Sequence, residues 1–283
     1  MLLAMDVGNT ETVIGLYALR AAEREALPTT DVGFGIGAVH HQVRDLTHHW
    51  RFSTVPSRTP DEYAVLLTQI LDLEGLDIAA IVDGLAICSS VPSVTGELRQ
   101  MASRWFTGLP CVVVGPGTKS GMPVLYENPK EVGADRVANA VGAFDLFGGP
   151  CVVVDLGTAT TFDAISAAGE YLGGAIMPGV AISLEALFQH AAALRRVELV
   201  PPRAVVGRST AESIQSGVLF GFGAQVDGMC QRFAGELGPA TVVATGGLSE
   251  LIAPHAHCID HVEPWLTLHG LRIVYERNMK SAA

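Results

Sequence analysis

A near-repetition inside the chain constrains it more than any other feature. Residues 2–5 are apolar and lead into Asp6-Val7-Gly8-Asn9-Thr10-Glu11-Thr12-Val13. Residues 151–154 are apolar and lead into Asp155-Leu156-Gly157-Thr158-Ala159-Thr160-Thr161-Phe162. The two aspartates lie 149 positions apart, about half of the 283 residues, and at that offset Gly8 meets Gly157 and Thr12 meets Thr161. In each copy the apolar run predicts a buried strand, the glycine permits a tight turn, and the β-branched stretch that follows predicts a second strand. A P-loop or a dinucleotide fingerprint would instead run from its strand into a helix, and the P-loop would close on Gly-Lys-Ser/Thr, which does not follow here. A hairpin turn can still hold phosphate through converging backbone N–H groups, and an aspartate at its edge can hold a cation. One such hairpin is an ordinary turn. Two in matching register predict a chain built of two related halves.

The remainder fits two α/β lobes, divided as 1–148 and 149–283, with a central cleft as the natural ligand site. Helices are expected over 61–74, 131–147, 179–199 and 209–237, the last opened by Ser209-Thr210-Ala211-Glu212 as a capping box. Strands are expected at Leu85-Ala86-Ile87-Cys88, at 110–114 and at 240–244. Gly173-Gly174-Ala175-Ile176-Met177-Pro178 reads as a loop, and so does an enlarged, Gly-rich segment over 19–48 that contains Glu23 and Glu25.

Composition narrows the function. Hydrophobic residues make up 49% of the chain and charged residues 17%, which marks a globular protein. Acidic residues outnumber basic ones by 29 to 18, and no Lys/Arg-rich run stands out, so a nucleic-acid partner is not expected. The mean hydropathy of +0.35 is high, but no apolar run approaches the roughly 20 residues that a membrane span needs, so no membrane partner is expected either. Five widely spaced cysteines, with no Cys-x-x-Cys among them, are expected as buried thiols in a reducing cytoplasm.

Asp6-Val7-Gly8-Asn9-Thr10 and Asp155-Leu156-Gly157-Thr158 resemble the two phosphate motifs of the acetate and sugar kinase, heat-shock chaperone and actin superfamily. Between them, Tyr126-Glu127-Asn128-Pro129-Lys130-Glu131-Val132-Gly133-Ala134-Asp135-Arg136 closely resembles the substrate segment of type III pantothenate kinases. The resemblance continues through 173–179, 209–220 and 242–247 and covers nearly the whole chain. It implies a duplicated ribonuclease-H-like (actin-like ATPase) fold, a homodimer, and ATP-dependent phosphorylation of pantothenate to 4′-phosphopantothenate at the start of coenzyme A synthesis. Mg²⁺ with ATP is implied, together with a monovalent cation, K⁺ or NH₄⁺.

Residue by residue, the resemblance makes Asp135 the general base toward the pantothenate hydroxyl, at a helix start where the dipole favours an ionised carboxylate. Tyr126, Gly133, Ala134, Arg136 and Thr210 match substrate positions, and Arg136 could hold the pantothenate carboxylate by paired N–H bonds. Asp6, Val7, Gly8, Asn9, Thr10, Glu11, Thr12 and Val13 match the wrap around the ATP phosphates, with Asp6 toward Mg²⁺. Thr158 matches a further ATP contact, Asp155 the monovalent-cation ligand, and Thr245-Gly246-Gly247 the adenosine loop. Position alone leaves plainer roles open: Asp135 and Thr210 could cap helices, and Arg136 could form a surface ion pair. The histidines and cysteine at 255, 257, 258 and 261 lack the spacing of a closed zinc site. Trp50, Trp105 and Trp265 are expected to pack. A phosphatase, a kinase for another small hydroxy acid, and a catalytically weak nucleotide-binding regulatory protein remain alternatives within one fold.

Overall fold

A computed structural model describes residues 1–19 and 45–280, so nearly all of the segment expected as an enlarged loop over 19–48, with Glu23, Glu25, His40 and His41, lies outside the described residues. The chain divides into two compact units: Met1–Gly142 together with the stretch from Leu266, and Ala143–Trp265.

The first unit is built on a five-stranded sheet. Strands β1 (Leu2–Val7), β2 (Glu11–Tyr17) and β3 (Leu46–Ser53) form an antiparallel meander, and β4 (Gly84–Ser89) and β5 (Cys111–Val113) extend it in parallel on the other side of β1. The order β3-β2-β1-β4-β5 makes β1 central, which explains its unbroken apolar run: Leu2, Leu3, Ala4 and Met5 are all fully buried. Successive side chains point to opposite faces. Leu3, Met5 and Val7 join the core under α1 (Pro60–Leu73) and α3 (Pro92–Trp105). Helix α1 starts where the chain dictates: Thr59 caps it in a reciprocal box with Glu62, Pro60 occupies the first turn, and Tyr63, Leu67 and Leu71 form its buried stripe. Each of those fully buried side chains contributes about 1.5–3 kcal/mol.

The opposite face of the sheet, on which Leu2 and Ala4 lie, is covered by α8 (Leu266–Lys280), whose Leu266, Leu268, Leu271 and Val274 are buried. The final helix therefore belongs with the first half of the chain, and the division at 148/149 is corrected to one that returns the C-terminal stretch to the first unit. The cause is the close fit of small residues. Gly84, Ala4 and Ala86 line that face, and a Cβ on Gly84 would run into the Tyr275 side chain of α8. A Cβ on Gly270 would strike the Ala138 backbone of α4 (Ala134–Phe147), and one on Gly142 would stand 2.8 Å from the Leu266 carbonyl oxygen. Beside these contacts the Thr267 hydroxyl donates to Asn139 Oδ1 at 2.7 Å, in the buried seam between α4 and α8. Helix α4 starts later than the expected 131: a 3₁₀ turn (Pro129–Glu131) precedes it, and Val132 is extended.

The second unit repeats the first. Its sheet runs β8 (Tyr171–Pro178), β7 (Ala159–Ile165), β6 (Cys151–Leu156), β9 (Thr241–Thr245), β10 (His261–Val262), with the same pattern of antiparallel and parallel pairs. Residues 173–178, expected as a loop, lie in strand β8. Its glycines hid an alternation in which Tyr171 and Gly173 are buried while Leu172 and Gly174 are exposed, and Pro178 is tolerated at the end of an edge strand. Helix α5 (Val180–His190) is shorter than the expected 179–199; beyond Ala191 the chain turns, and Leu194, Val197 and Leu199 still reach the core. Helix α6 (Thr210–Leu237) buries Ile214, Val218, Leu219, Phe222 and Val226 on the β6 face, and a short α7 (Ser249–Ile252) follows β9. The α6 cap is Ser209, which accepts from the Glu212 amide at 3.2 Å, while Glu212 takes the Arg208 amide at 3.0 Å.

Of the other expectations, Trp50 and Trp265 pack, but Trp105 is 52% exposed and donates to Asp61. Cys88, Cys151 and Cys230 are buried, whereas Cys111 is exposed, so the reading of all five as buried thiols is corrected. His261 stacks on Phe147 and His255 meets the edge of Phe220.

Gly270→Ala should lower stability by about 1–3 kcal/mol, because the obstructing atoms are backbone and α8 must slide as a whole. Urea unfolding checks this: the midpoint should fall with an unchanged slope.

Candidate active site

Alternation along β1 puts Asp6 on the face shared by Leu2 and Ala4, at the strand's C-terminal end. Its parallel neighbour in register is Cys88 of β4, whose thiol donates to Asp6 Oδ1 at 3.1 Å. The first turn of α4 brings the Asp135 carboxylate close enough to act on both. Asp6 keeps a narrow opening to solvent but is otherwise crowded by protein. That desolvation, reinforced by the Asp135 charge and opposed by the Cys88 hydrogen bond, pushes its pKa from the ordinary 3.8 up to about 7. Burial and the same two carboxylates push the Cys88 thiol well up, so it stays a neutral donor.

Asp135 is held by its own helix start. Its Oδ1 accepts the Arg136 amide at 2.9 Å, and a Cβ at Gly133 would occupy the space that Oδ1 fills. Only glycine at 133 lets the carboxylate fold back over the first turn. Asp135 thus occupies the favourable end of the helix dipole, and Arg136 beside it is buried while Tyr126 is half-buried.

Past Asp6 the chain turns through Gly8, whose amide donates to the Glu11 carbonyl at 2.9 Å. Asn9, Thr10 and Glu11 are exposed at the tip, and Glu11 also pairs with Arg51 at 3.5 Å. Thr12 is fully buried, its hydroxyl 2.9 Å from that of Thr54, so it supports the hairpin from beneath; Val13 faces Arg51 across the ladder. The turn is braced from β4. The Ser90 amide donates to the Val7 carbonyl at 3.0 Å, and Asn9 Nδ2 donates to the Ser90 hydroxyl at 3.3 Å.

In the second unit Asp155 occupies the matching place on β6, with Thr245 of β9 in register where the first unit has Cys88. The turns differ by one residue. Val7 pairs with Thr12 around four residues, and Leu156 pairs with Thr160 around three. The true counterpart of Thr12 is therefore Thr160, also buried, and not Thr161 as the constant offset implied. Thr158 stands half-buried in this shorter turn. Gly157 and Gly246 leave room for Asp155 Oδ1: a Cβ on Gly157 would be 3.1 Å from it, and one on Gly246 closer still. Thr210 is the exposed first residue of α6, so it does not serve as the helix cap. Among the described residues no group of three or more His, Cys, Asp or Glu side chains forms a closed metal cage.

The structure thus draws Asp6, its hairpin, Gly133, Asp135 and Arg136 into one assembly in the first unit, and Asp155, Gly157, Thr158 and Gly246 into another in the second. Cys88 and Ser90 escaped the sequence reading as functional residues. The register between β1 and β4, visible only in three dimensions, is what sets them beside Asp6 and Val7.

Comparison with known proteins places this arrangement in a family. Residues 2–232 match the family model described as type III pantothenate kinase. The type III pantothenate kinase of Streptomyces avermitilis is 49% identical over 286 residues, covering 99% of both chains. That of Moorella thermoacetica is 48% identical, covering 98% of this chain and all of the relative. Solved structures share the fold at lower identity. A Campylobacter jejuni protein described as a Baf-family transcriptional activator superposes with a TM-score of 0.55 at 17% identity, covering 98% of this chain and 99% of its own. The activator of 2-hydroxyisocaproyl-CoA dehydratase from Clostridium difficile, with bound ADPNP, gives 0.51 at 11% identity, covering 99% and 96%. On the family model and the near-full-length relatives, the chain belongs to the type III pantothenate kinase family.

Proposed function

We propose that this protein transfers the γ-phosphoryl group of ATP to the primary hydroxyl of pantothenate, giving 4′-phosphopantothenate. The observation that carries the reading is the pairing of two carboxylates around one phosphate-type hairpin, one crowded at a strand end and one at a helix start. Phosphoryl transfer asks for positioning and charge neutralisation, with one group to take the nucleophile's proton. Asp135 suits that last role by its place in the first turn of α4, where its carboxylate stands close enough to act on Asp6. Gly133 and Ala134 let the substrate approach this helix start, and Arg136 and Tyr126 orient the pantothenate carboxylate and chain; within the second unit, Thr210 is a further candidate substrate residue. The hairpin from Asp6 to Val13 receives the nucleotide phosphates through its turn amides; within the second unit, Thr158 of the shorter turn is a candidate ATP contact.

Mg²⁺ with ATP fits Asp6, whose crowded charge beside Asp135 calls for a counter-cation. Asp6 would hold such an ion together with phosphate and water ligands, as Mg²⁺ is commonly bound. When bound, it supplies positive charge to the phosphate oxygens. Gly157 and Gly246 let the Asp155 carboxylate lie close against both turns, and that carboxylate would be the protein ligand of a monovalent cation, K⁺ or NH₄⁺. A homodimer accounts for apolar side chains exposed on the second unit, among them Ile176 at 66% and Val206 at 80%. No helix among the described residues is long and apolar enough to cross a membrane.

Purified protein should release ADP only when pantothenate is present, and faster in K⁺ or NH₄⁺ than in Na⁺. Asp135→Asn should lose about 10²–10⁴-fold in turnover while still binding MgATP. Wild-type turnover in that variant removes Asp135 from the role of base, and equal rates in Na⁺ remove the cation from Asp155.

The charge state of Asp6 gives a pH signature. Its folded pKa lies above the ordinary value, so its contribution to metal-free stability is complete below about pH 4 and is lost as pH rises through about 7. Metal-free protein should therefore melt lower at pH 8 than at pH 5.5, and the difference should shrink in Asp6→Asn. Binding of Mg²⁺ with nucleotide should release a proton near neutrality, measurable by calorimetry in buffers of different ionisation enthalpy. Asp135→Asn, which removes the second cause of the shift, should move that transition to lower pH.

Light scattering should give about twice the 29.8 kDa of one chain, and Ile176→Glu should shift the mass toward the monomer if β8 lies in the contact.

A further inference from the structure

We propose that Cys88 and Ser90, at the end of β4, are positioning residues for nucleotide binding: together they hold the Asp6 carboxylate and the first phosphate hairpin in the conformation that receives the nucleotide. The proposal rests on the kinase reading above and adds to it the parts that keep the hairpin in place.

A two-stranded hairpin tip is held by little of its own. The turn 8–11 has one internal backbone bond, from the Gly8 amide to Glu11; the Thr54 amide holds the Thr10 carbonyl at 2.9 Å from the β3 side, and Asn9, Thr10 and Glu11 are exposed. Left to itself, such a tip would sample several conformations, and a ligand would bear the cost of ordering it. The end of β4 supplies what the turn lacks. Cys88 lies directly across from Asp6 in the parallel register, fully buried, with its thiol on Oδ1 at 3.1 Å. Two residues on, Ser90 donates its amide to the Val7 carbonyl at 3.0 Å and accepts from Asn9 Nδ2 at 3.3 Å. The Ser89 hydroxyl, lying between them, donates to the Val91 carbonyl at 3.2 Å and accepts the Val91 amide at 3.1 Å. This local pair holds the chain as it leaves the strand and fixes where Ser90 stands.

The duplication repeats the device. In the second unit Thr245 lies across from Asp155, and the Leu248 amide donates to the Leu156 carbonyl at 3.2 Å, so the chain just past the neighbouring parallel strand again grips the residue after the aspartate. Both halves thus brace their hairpins from the neighbouring parallel strand, with a different donor-bearing residue beside each aspartate. A thiol suits Asp6 because it donates weakly: it orients one carboxylate oxygen without tying up the lone pairs of the other, and its burial costs little.

The test compares Cys88→Ala, Cys88→Ser and Ser90→Ala with the wild type. In nucleotide-free protein, amide hydrogen exchange at residues 8–11 should quicken in Cys88→Ala and Ser90→Ala and stay near wild type in Cys88→Ser, which restores a donor. Calorimetry should show MgADP affinity about 5- to 10-fold weaker in the two alanine variants, the loss expected for one net hydrogen bond, with pantothenate KM and the thermal midpoint little changed. If Cys88→Ala fails to fold, Ser90→Ala carries the comparison, because its side chain is not in the core. Hairpin exchange and MgADP affinity equal to wild type in both alanine variants overturn the proposal, as does a Cys88→Ser variant as impaired as Cys88→Ala with Ser90→Ala unaffected, which would reduce Cys88 to packing. A wild-type protein that binds no MgADP refutes the kinase reading, and this proposal with it, whereas normal wild-type binding with unaltered variants refutes the proposal alone.

Discussion

A carboxylate at the end of a central strand is costly to crowd, and the first unit crowds one deliberately. Asp6 is placed by the alternation of β1 onto a face lined with Leu2 and Ala4, and a second acid approaches it from α4. Desolvation and like-charge repulsion both act against its ionisation, and the Cys88 thiol offsets them only in part. The fold around Asp6 accordingly reads as support for one unfavourable placement: small residues on β1 and β4 let α8 lie close, α8 fixes α4 through Gly270, Gly142 and the Thr267–Asn139 hydrogen bond, and α4 presents Asp135.

The helix start that carries Asp135 shows how one residue type serves two ends. Gly133 ends the extended approach to α4 and vacates the volume that the Asp135 carboxylate occupies. The neighbouring amide then takes one oxygen at 2.9 Å. A side chain at 133 would rotate the acid away from its own helix dipole. The placement of the acid and the local backbone geometry are in this way one requirement.

Much of this was legible in the chain. The repeated apolar-Asp-x-Gly pattern predicted both hairpins, and the sheet orders of the two units confirm the duplication strand for strand. The order of motifs pointed to the family that the near-full-length relatives establish. What escaped has physical causes. A fixed offset cannot register a one-residue deletion inside a turn, so Thr161 was matched where Thr160 belongs. Strand β8 was lost because glycine carries no side chain to display alternation. Cys88 and Ser90 passed as the tail of a strand because cross-strand register is a property of pairing, not of local sequence. The division of the chain at its midpoint failed because a helix's apolar stripe does not say which sheet it will cover.

The return of α8 to the first unit has a consequence for how the molecule is made. The second unit is continuous, from Ala143 to Trp265, and can close as soon as its own residues have left the ribosome. The first is interrupted: one side of its sheet, with Leu2, Ala4 and the acid at position 6, stays open until α8 is synthesised, so the unit translated first needs a stretch translated after the second.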